Sequence, residues 1–297
     1  MLLQLFFIKN SCSQINLVKN PSFEDTIMCP NMWGYVDPYV YFWINPTIST
    51  PDYYNSCAVF GTGCSVPLNA PNVFQYPFTG NGYCGVFAFE IPNPNERDYI
   101  QGQLTDSLIA GEQYTVSFYV NLANFSAISI SNMGAYLSST PISNGSGALL
   151  SYIPQIIGTT YIDDTLAWVL IKGDFTALGG ERYITIGNFF DDGNTDTLTV
   201  YPGSFGSTKI SYYYIDEVSV VKKFMIPSII GGNNIFEING LPDNCILYLY
   251  NTLGQIVYKN ENYKNDFNSI NLRSGIYYYY VELPGKEIHK GKLCINH

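Results

Sequence analysis

Strand-like runs recur through the first two-thirds of this chain while helical periodicity is almost absent, and that pattern limits the fold more than any other feature. Gln113–Ala123 (QYTVSFYVNLA), Ala167–Ala177 (AWVLIKGDFTA), Arg182–Phe190 (RYITIGNFF) and Ser211–Val221 (SYYYIDEVSVV) are rich in alternating and β-branched residues. Such alternation sends successive side chains to opposite faces of a strand. Asn144-Gly145, Gly179-Gly180 and Gly193-Asn194 supply turns in which positive φ is cheap. The spacing predicts an all-β sandwich over residues 15–222. Two segments bracket it, Asn16–Asp25 (NLVKNPSFED) and Tyr212–Val221 (YYYIDEVSVV). If they lie side by side, Glu24, Asp25, Asp216 and Glu217 come together, and carboxylates with main-chain carbonyls suit a hard cation such as Ca²⁺.

Charge and histidine content exclude several functions. The formal charge is −10 with only 14 Lys and Arg, and nothing forms a basic stripe. A protein that tracks phosphates needs such a stripe, so nucleic acid is not an expected partner. The two histidines, His289 and His297, both sit at the C-terminal end, which rules out a Ser-His-Asp system within residues 15–222. Paired carboxylates are the remaining catalytic option, with Glu90, Glu96, Asp98, Asp163, Asp164 and Asp174 as candidates. None stands in a catalytic motif, and an enzyme is not expected. Asp191–Asp196 (DDGNTD) starts like a calcium loop but has Thr197 and Gly203 where that loop needs Gly and Glu, so it reads as a polar loop.

The first fourteen residues, MLLQLFFIKNSCSQ, contain an apolar run too short to span a bilayer and read as the remnant of a secretory signal. Export gives the cysteines meaning as disulfide partners. Cys29, Cys57, Cys64 and Cys84 allow three pairings, and Cys245 with Cys294 could close the last module. Residues 26–98 are rich in Pro, Asn, Gly and aromatics, as long loops on a β-scaffold that build binding surfaces are. Trp33, Trp43, Tyr53 and Tyr54 are the expected stacking platforms for sugar rings, with Asn45, Asp52, Asn55 and Gln75 as hydroxyl partners. Trp168, inside an alternating run, reads as core.

NLVKNPSFE and YIDEVSV resemble the signature of galactose-binding-like jelly rolls, the fold of many carbohydrate-binding modules. The resemblance implies a jelly-roll domain over 15–222 with a structural calcium held by Glu24 and Asp216, next to Asp25. TPDYYNSC, GYCGVFAF, RDYIQGQL and ERYITIGNFFDDGNTD resemble secreted proteins of bacteria that use type IX secretion. Their habit of placing cysteines implies Cys29–Cys57 and Cys64–Cys84 bridges. The tail, with LYLYNTLGQIVY, LRSGIYYYYVEL and KGKL, resembles the gliding-motility-associated C-terminal sorting domain of type IX secretion, a small β-sandwich over 223–297. It lacks the acidic loop usual there, having Pro227–Asn234 instead, and carries Phe267 where a tryptophan is usual.

The expected protein is secreted or held on the outer cell surface, exported by the type IX machinery, and binds a glycan or polymer as an adhesin does. Trp33, Trp43, Tyr53, Tyr54 and Asn55 are the expected ligand contacts. Two alternatives remain open at this point: a structural surface or motility protein acting through protein contacts, and a carboxylate-dependent glycosidase.

Overall fold

The computed structural model describes residues 15–70, 73–146, 149–200, 209–223, 229–230, 235–238, 240–284 and 288–297; the signal-like segment 1–14 lies outside the described residues. The chain divides into two compact units, one spanning Asn16–Val221 and one containing Lys222–His297.

The larger unit contains β1 (Trp43–Ile44), β2 (Asp52–Asn55), β3 (Leu68–Ala70), β4 (Val73–Phe74), β5 (Gly82–Ile91), β6 (Ile100–Gln103) and β7 (Gln113–Leu122). It continues through β8 (Ile128–Ile130), β9 (Met133–Ser138), β10 (Ile156–Ile157), β11 (Val169–Thr176), β12 (Tyr183–Asn188), β13 (Thr197–Thr199) and β14 (Lys209–Lys222). Two five-stranded sheets, β1-β6-β12-β9-β10 and β11-β7-β14-β5-β2, form a jelly-roll β-sandwich. Alternation decides which side chains meet between them. Val116, Phe118 and Val120 from β7, Val86 and Ala88 from β5, and Tyr213 and Ile215 from β14 face Ile184 and Ile186 from β12 and Ala135 and Leu137 from β9. Each large apolar side chain buried in this way contributes about 1.5–3 kcal/mol. The one polar atom Tyr213 brings inside is satisfied: its hydroxyl donates to Ile162 O at 2.9 Å and accepts from Ile130 N at 2.8 Å.

The start of this unit lies against its last strand. Leu17 N donates to Val220 O at 2.8 Å and Val218 N to Pro21 O at 2.9 Å. The Asn16 side chain repeats the link, donating to Val218 O at 2.9 Å and accepting from Val220 N at 3.0 Å. On its other side the same segment meets β6, with Lys19 N donating to Gln103 O at 2.9 Å.

In the C-terminal unit β15 (Ile229–Ile230), β16 (Cys245–Tyr250), β17 (Ile256–Tyr263), β18 (Gly275–Glu282) and β19 (Ile288–Ile295) form one sheet in the order β15-β19-β18-β16-β17. Leu247, Leu249, Val281 and Leu293 form its inner face, covered by Phe236, Ile238 and Phe267. Phe267 is therefore a core residue. The Leu253-Gly254-Gln255 turn closes β16 onto β17, with Gly254 at φ +76° and Asn251 N donating to Gln255 O at 2.9 Å.

Cys29 and Cys57 are bonded, with Cα atoms 5.7 Å apart. The expected Cys64–Cys84 bridge is not formed: both are buried free thiols. The reason is topological. Cys84 pairs with Tyr53 across the β5–β2 ladder, whereas Cys64 O accepts from Asn55 N on the far edge of β2. A strand thus stands between them, and two strand spacings of about 4.8 Å exceed the reach of a disulfide. Cys245 and Cys294 are free as well, because β18 separates β16 from β19.

Candidate functional site

The outer face of the β11-β7-β14-β5-β2 sheet carries a second aromatic cluster, distinct from the core. In β14, Tyr213 and Ile215 point between the sheets, so Tyr212 and Tyr214 point out. Tyr54 from β2 and Tyr83 from β5 join them, with ring centroids 5.1 Å apart and nearly parallel. Gly85, paired with Asp52 on one side and Tyr214 on the other, makes the layout possible. The Tyr212 phenol crosses directly over Gly85, where any Cβ would collide with it.

By crossing there, Tyr212 reaches a buried carboxylate. Its hydroxyl donates to Asp52 Oδ2 at 2.5 Å, the Tyr54 hydroxyl donates to the same oxygen at 3.3 Å, and Gly34 N donates to Oδ1 at 2.5 Å. Burial pushes the Asp52 carboxyl up from its ordinary value, and its donors pull it partly back. Burial also raises both phenols, so they remain protonated donors at neutral pH.

Above this floor opens a cavity of about 730 Å³, within the range of small-ligand sites. Trp33, Tyr35, Phe87 and Phe125 form its walls with Tyr54 and Tyr212, and no Lys or Arg is among the described residues that line it. Trp33, 60% exposed, forms the rim; its indole lies across Gly63, again where no side chain would fit. The Cys29–Cys57 disulfide ties the loop that carries Trp33 to the segment following β2. Asn69 closes one side. Its Nδ2 donates to the Tyr83 hydroxyl at 3.0 Å, while that hydroxyl donates onward to Gln75 O at 3.1 Å.

The expected ligand contacts therefore separate. Trp33 and Tyr54 line the cavity, and Asp52 lies at its floor. Trp43, Tyr53 and Asn55 are internal instead. Trp43 is 1% exposed, donates from Nε1 to Asn20 O at 2.9 Å and packs 4.7 Å from Phe23. Tyr53 donates to Phe23 O at 2.8 Å, and Asn55 Nδ2 donates to the Tyr53 hydroxyl at 2.7 Å. The physical cause is period two in β2: adjacent tyrosines of a strand cannot share a face. Trp168 departs from expectation in the other direction. It stands on the outer aromatic layer, 5.9 Å from Tyr83, with Nε1 donating to Tyr76 O at 3.1 Å. Tyr35, Phe87, Phe125 and Tyr212 were not singled out by the sequence; alternation within YYYID was the available signal for Tyr212.

The bracketing acids meet a single loop. Asp216 Oδ2 accepts from Phe78 N at 2.8 Å and Thr79 N at 3.0 Å, and its Oδ1 accepts from Glu217 N at 2.7 Å. Glu24 Oε1 accepts from Asn81 N at 2.7 Å and Gly82 N at 3.0 Å. Its carboxylate occupies the space beside Gly80, whose φ is +64°. Glu217 accepts from the Thr79 hydroxyl at 2.5 Å, while Asp25 is exposed. Burial pushes Asp216 up to about 8. The donor set of Glu24, Asp25 and Asp216 fits calcium poorly, because Glu24 and Asp216 have turned their oxygens to amide N–H groups that a cation would have to displace. Among the described residues no three acidic, His or Cys side chains gather as a cation site.

Four of the candidate catalytic acids accept hydrogen bonds. Asp98 accepts from Thr50 N at 3.1 Å and Phe87 N at 3.0 Å, and burial raises it to about 7. Asp164 accepts from Leu166 N and Ala167 N, Asp174 accepts from the Thr115 hydroxyl, and Glu90 accepts from Asn93 Nδ2. In the DDGNTD loop Asp191 accepts from Asn194 N, and Asp192 pairs with Arg97 at 2.6 Å.

Residues 219–295 match the CHU_C type IX secretion signal domain. No curated protein matches the chain. Among solved structures, the chain is similar to the CBM22-1 xylan-binding domain of Paenibacillus barcinonensis Xyn10C, at 12% identity over 71% of this chain and 97% of that one, with a TM-score of 0.37. It is similar to a putative sugar binding protein from Bacteroides thetaiotaomicron VPI-5482, at 12% identity over 70% and 100%, TM-score 0.35. It is also similar to the K1 cleaved adhesin domain of Lys-gingipain from Porphyromonas gingivalis W83, at 20% identity over 70% and 99%, TM-score 0.30. Likenesses at these scores carry no weight for the ligand. The C-terminal match stands apart from them: the chain carries a type IX secretion signal and is exported to the cell surface or beyond it.

Proposed function

We propose that the larger unit is a glycan-binding module, adhesin-like in its use, and that its ligand enters the cavity rimmed by Trp33. The observation that carries this reading is an open, aromatic-walled cavity built over a buried, fully hydrogen-bonded carboxylate. Aromatic walls bury the C–H faces of a sugar, and a rigid floor holds those walls in place before the ligand arrives. Asp52 acts through Tyr54 and Tyr212, fixing both rings. With no cation in the lining and a carboxylate beneath it, the cavity favours a neutral sugar over a uronate. The process is recognition, with no bond made or broken. In this reading the Phe78–Gly82 loop is held by amides that donate to Glu24 and Asp216.

Titration of the full chain with soluble neutral polysaccharides tests the reading. Trp33→Ala is expected to weaken binding about tenfold or more, the loss of one well-placed aromatic contact. Unchanged binding by that variant, or sugar release by the native protein, would reject it.

A further inference from the structure

We propose that the open face of the C-terminal sheet is a docking surface for a carboxylate-bearing polysaccharide, independent of the cavity. Alternation in β16, β18 and β19 places Leu247, Leu249, Val281 and Leu293 inside and leaves Tyr248, Tyr250, Tyr278, Tyr280, Lys290 and Lys292 on the other face. The register sets these six in rows. Tyr248 lies opposite Tyr280 and Tyr250 opposite Tyr278, and on the next strand Tyr280 faces Lys290 and Tyr278 faces Lys292. The Tyr248 and Tyr280 rings meet edge to face at 5.6 Å, and Tyr248 and Tyr250 lie 22° from parallel. Lys259 adds its ammonium 5.5 Å from the Tyr248 ring, where it also pairs with Glu261. Glu282, opposite Ile288, is a second acid, at the edge of this face.

Between the tyrosines and the two exposed lysines runs a shallow groove of about 360 Å³. Neither Lys290 nor Lys292 is in an ion pair among the described residues. The rings offer flat surfaces for pyranose stacking, and the ammonium groups beside them sit where acidic substituents of the stacked sugars would project.

Charge distribution across the chain selects an anionic occupant. Residues 222–297 hold eight of the fourteen basic side chains against six acids, whereas residues 16–221 hold five against eighteen. A polyanion is repelled by the larger unit and can be accommodated only where lysines concentrate. A saccharide is favoured over an acidic protein because the centre of the face is built of rings and hydroxyls, with the apolar residues Ile246, Ile276 and Ile288 at the margins.

The test uses the full chain with polygalacturonate, its methyl-esterified form and polyglutamate, at low and physiological salt. The native protein is expected to bind polygalacturonate in a salt-sensitive way and the ester weakly. The Lys290→Ala/Lys292→Ala variant and Tyr278→Ala, all at exposed positions, should each weaken binding about tenfold, while Trp33→Ala leaves it unchanged. The proposal is overturned if native protein fails to bind polygalacturonate, or if the lysine variant binds as native does. Equal binding of polyglutamate with no effect of Tyr278→Ala would overturn it in favour of an acidic protein partner.

Discussion

Tyrosine is used in opposite ways by the two units. In the larger one, Tyr54, Tyr83, Tyr212 and Tyr214 are buried in a layer on the outside of a sheet, their hydroxyls turned to Asp52, Asn69 and one another. In the C-terminal one, Tyr248, Tyr250, Tyr278 and Tyr280 stand on an open sheet face beside lysines. Tyr54, Tyr212 and Tyr214 in one set and Tyr278 and Tyr280 in the other come from runs of consecutive tyrosines in which strand periodicity sends alternate rings to the core. What differs is what covers the other half. Loops 33–35 and 63–69 roof the larger unit's layer and leave a cavity; no described segment roofs the smaller one. A tyrosine run thus marks a strand with two uses, and the surrounding loops decide whether its outer rings wall a cavity or remain a flat surface.

The contrast is broken most forcefully by removing an aromatic that only supports it. Trp43→Ala should cost the larger unit about 3–5 kcal/mol, the range for deleting a buried aromatic ring, read as a fall in the urea midpoint of that unit's transition. A change below about 1 kcal/mol would mean that Trp43 is not the core residue described.

The pH response should also distinguish the units. Asp98 is raised to about 7 and Asp216 to about 8, both by burial. The folded larger unit therefore keeps protons that the unfolded chain releases above about pH 4. Stability from these groups is fully present below that pH and is lost as pH rises through 7 to 8. The effect is bounded at about 4 kcal/mol for Asp98 alone, and Asp98→Asn should flatten the profile. Urea midpoints between pH 4 and 8 measure it, and a profile unchanged by the substitution would show that Asp98 does not drive it.

Smaller in effect, Tyr212→Phe strips a donor from a buried carboxylate and should cost about 1–3 kcal/mol. The matching change on the open face, Tyr278→Phe, should lie within about 0.5 kcal/mol, and thermal melts of both variants compare them directly. At the lower end, chelator should leave the melting temperature unchanged. A drop would show a cation competing with the amides now held by Glu24 and Asp216.

Much of this was legible in the sequence, but unevenly. The long alternating runs that became β7, β11, β12 and β14 were plain, because ten residues of period two admit few other readings. Phe267 was marked by resemblance alone, as the residue standing where a tryptophan is usual, and its place in the core was not read from period. Face assignment failed in the loop-rich region, where a four-residue strand, Asp52–Asn55, is too short to show a period. It split Tyr53 from Tyr54 and placed Cys64 and Cys84 on opposite sides of a strand. The cavity was legible only in part: Trp33 stood out by composition, but Asp52 gains its role from Tyr212, 160 residues away, through a glycine that leaves room for a phenol.

The most direct test of a cavity that binds glycan removes the tryptophan at its rim. Trp33→Ala and native protein are titrated with xylan, galactan and a soluble β-glucan, with thermal melts in parallel. Trp33→Ala is expected to keep the native melt and to bind about tenfold or more weakly. Native-like binding by that variant, or no binding of any neutral glycan by the native protein, would contradict a glycan-binding cavity.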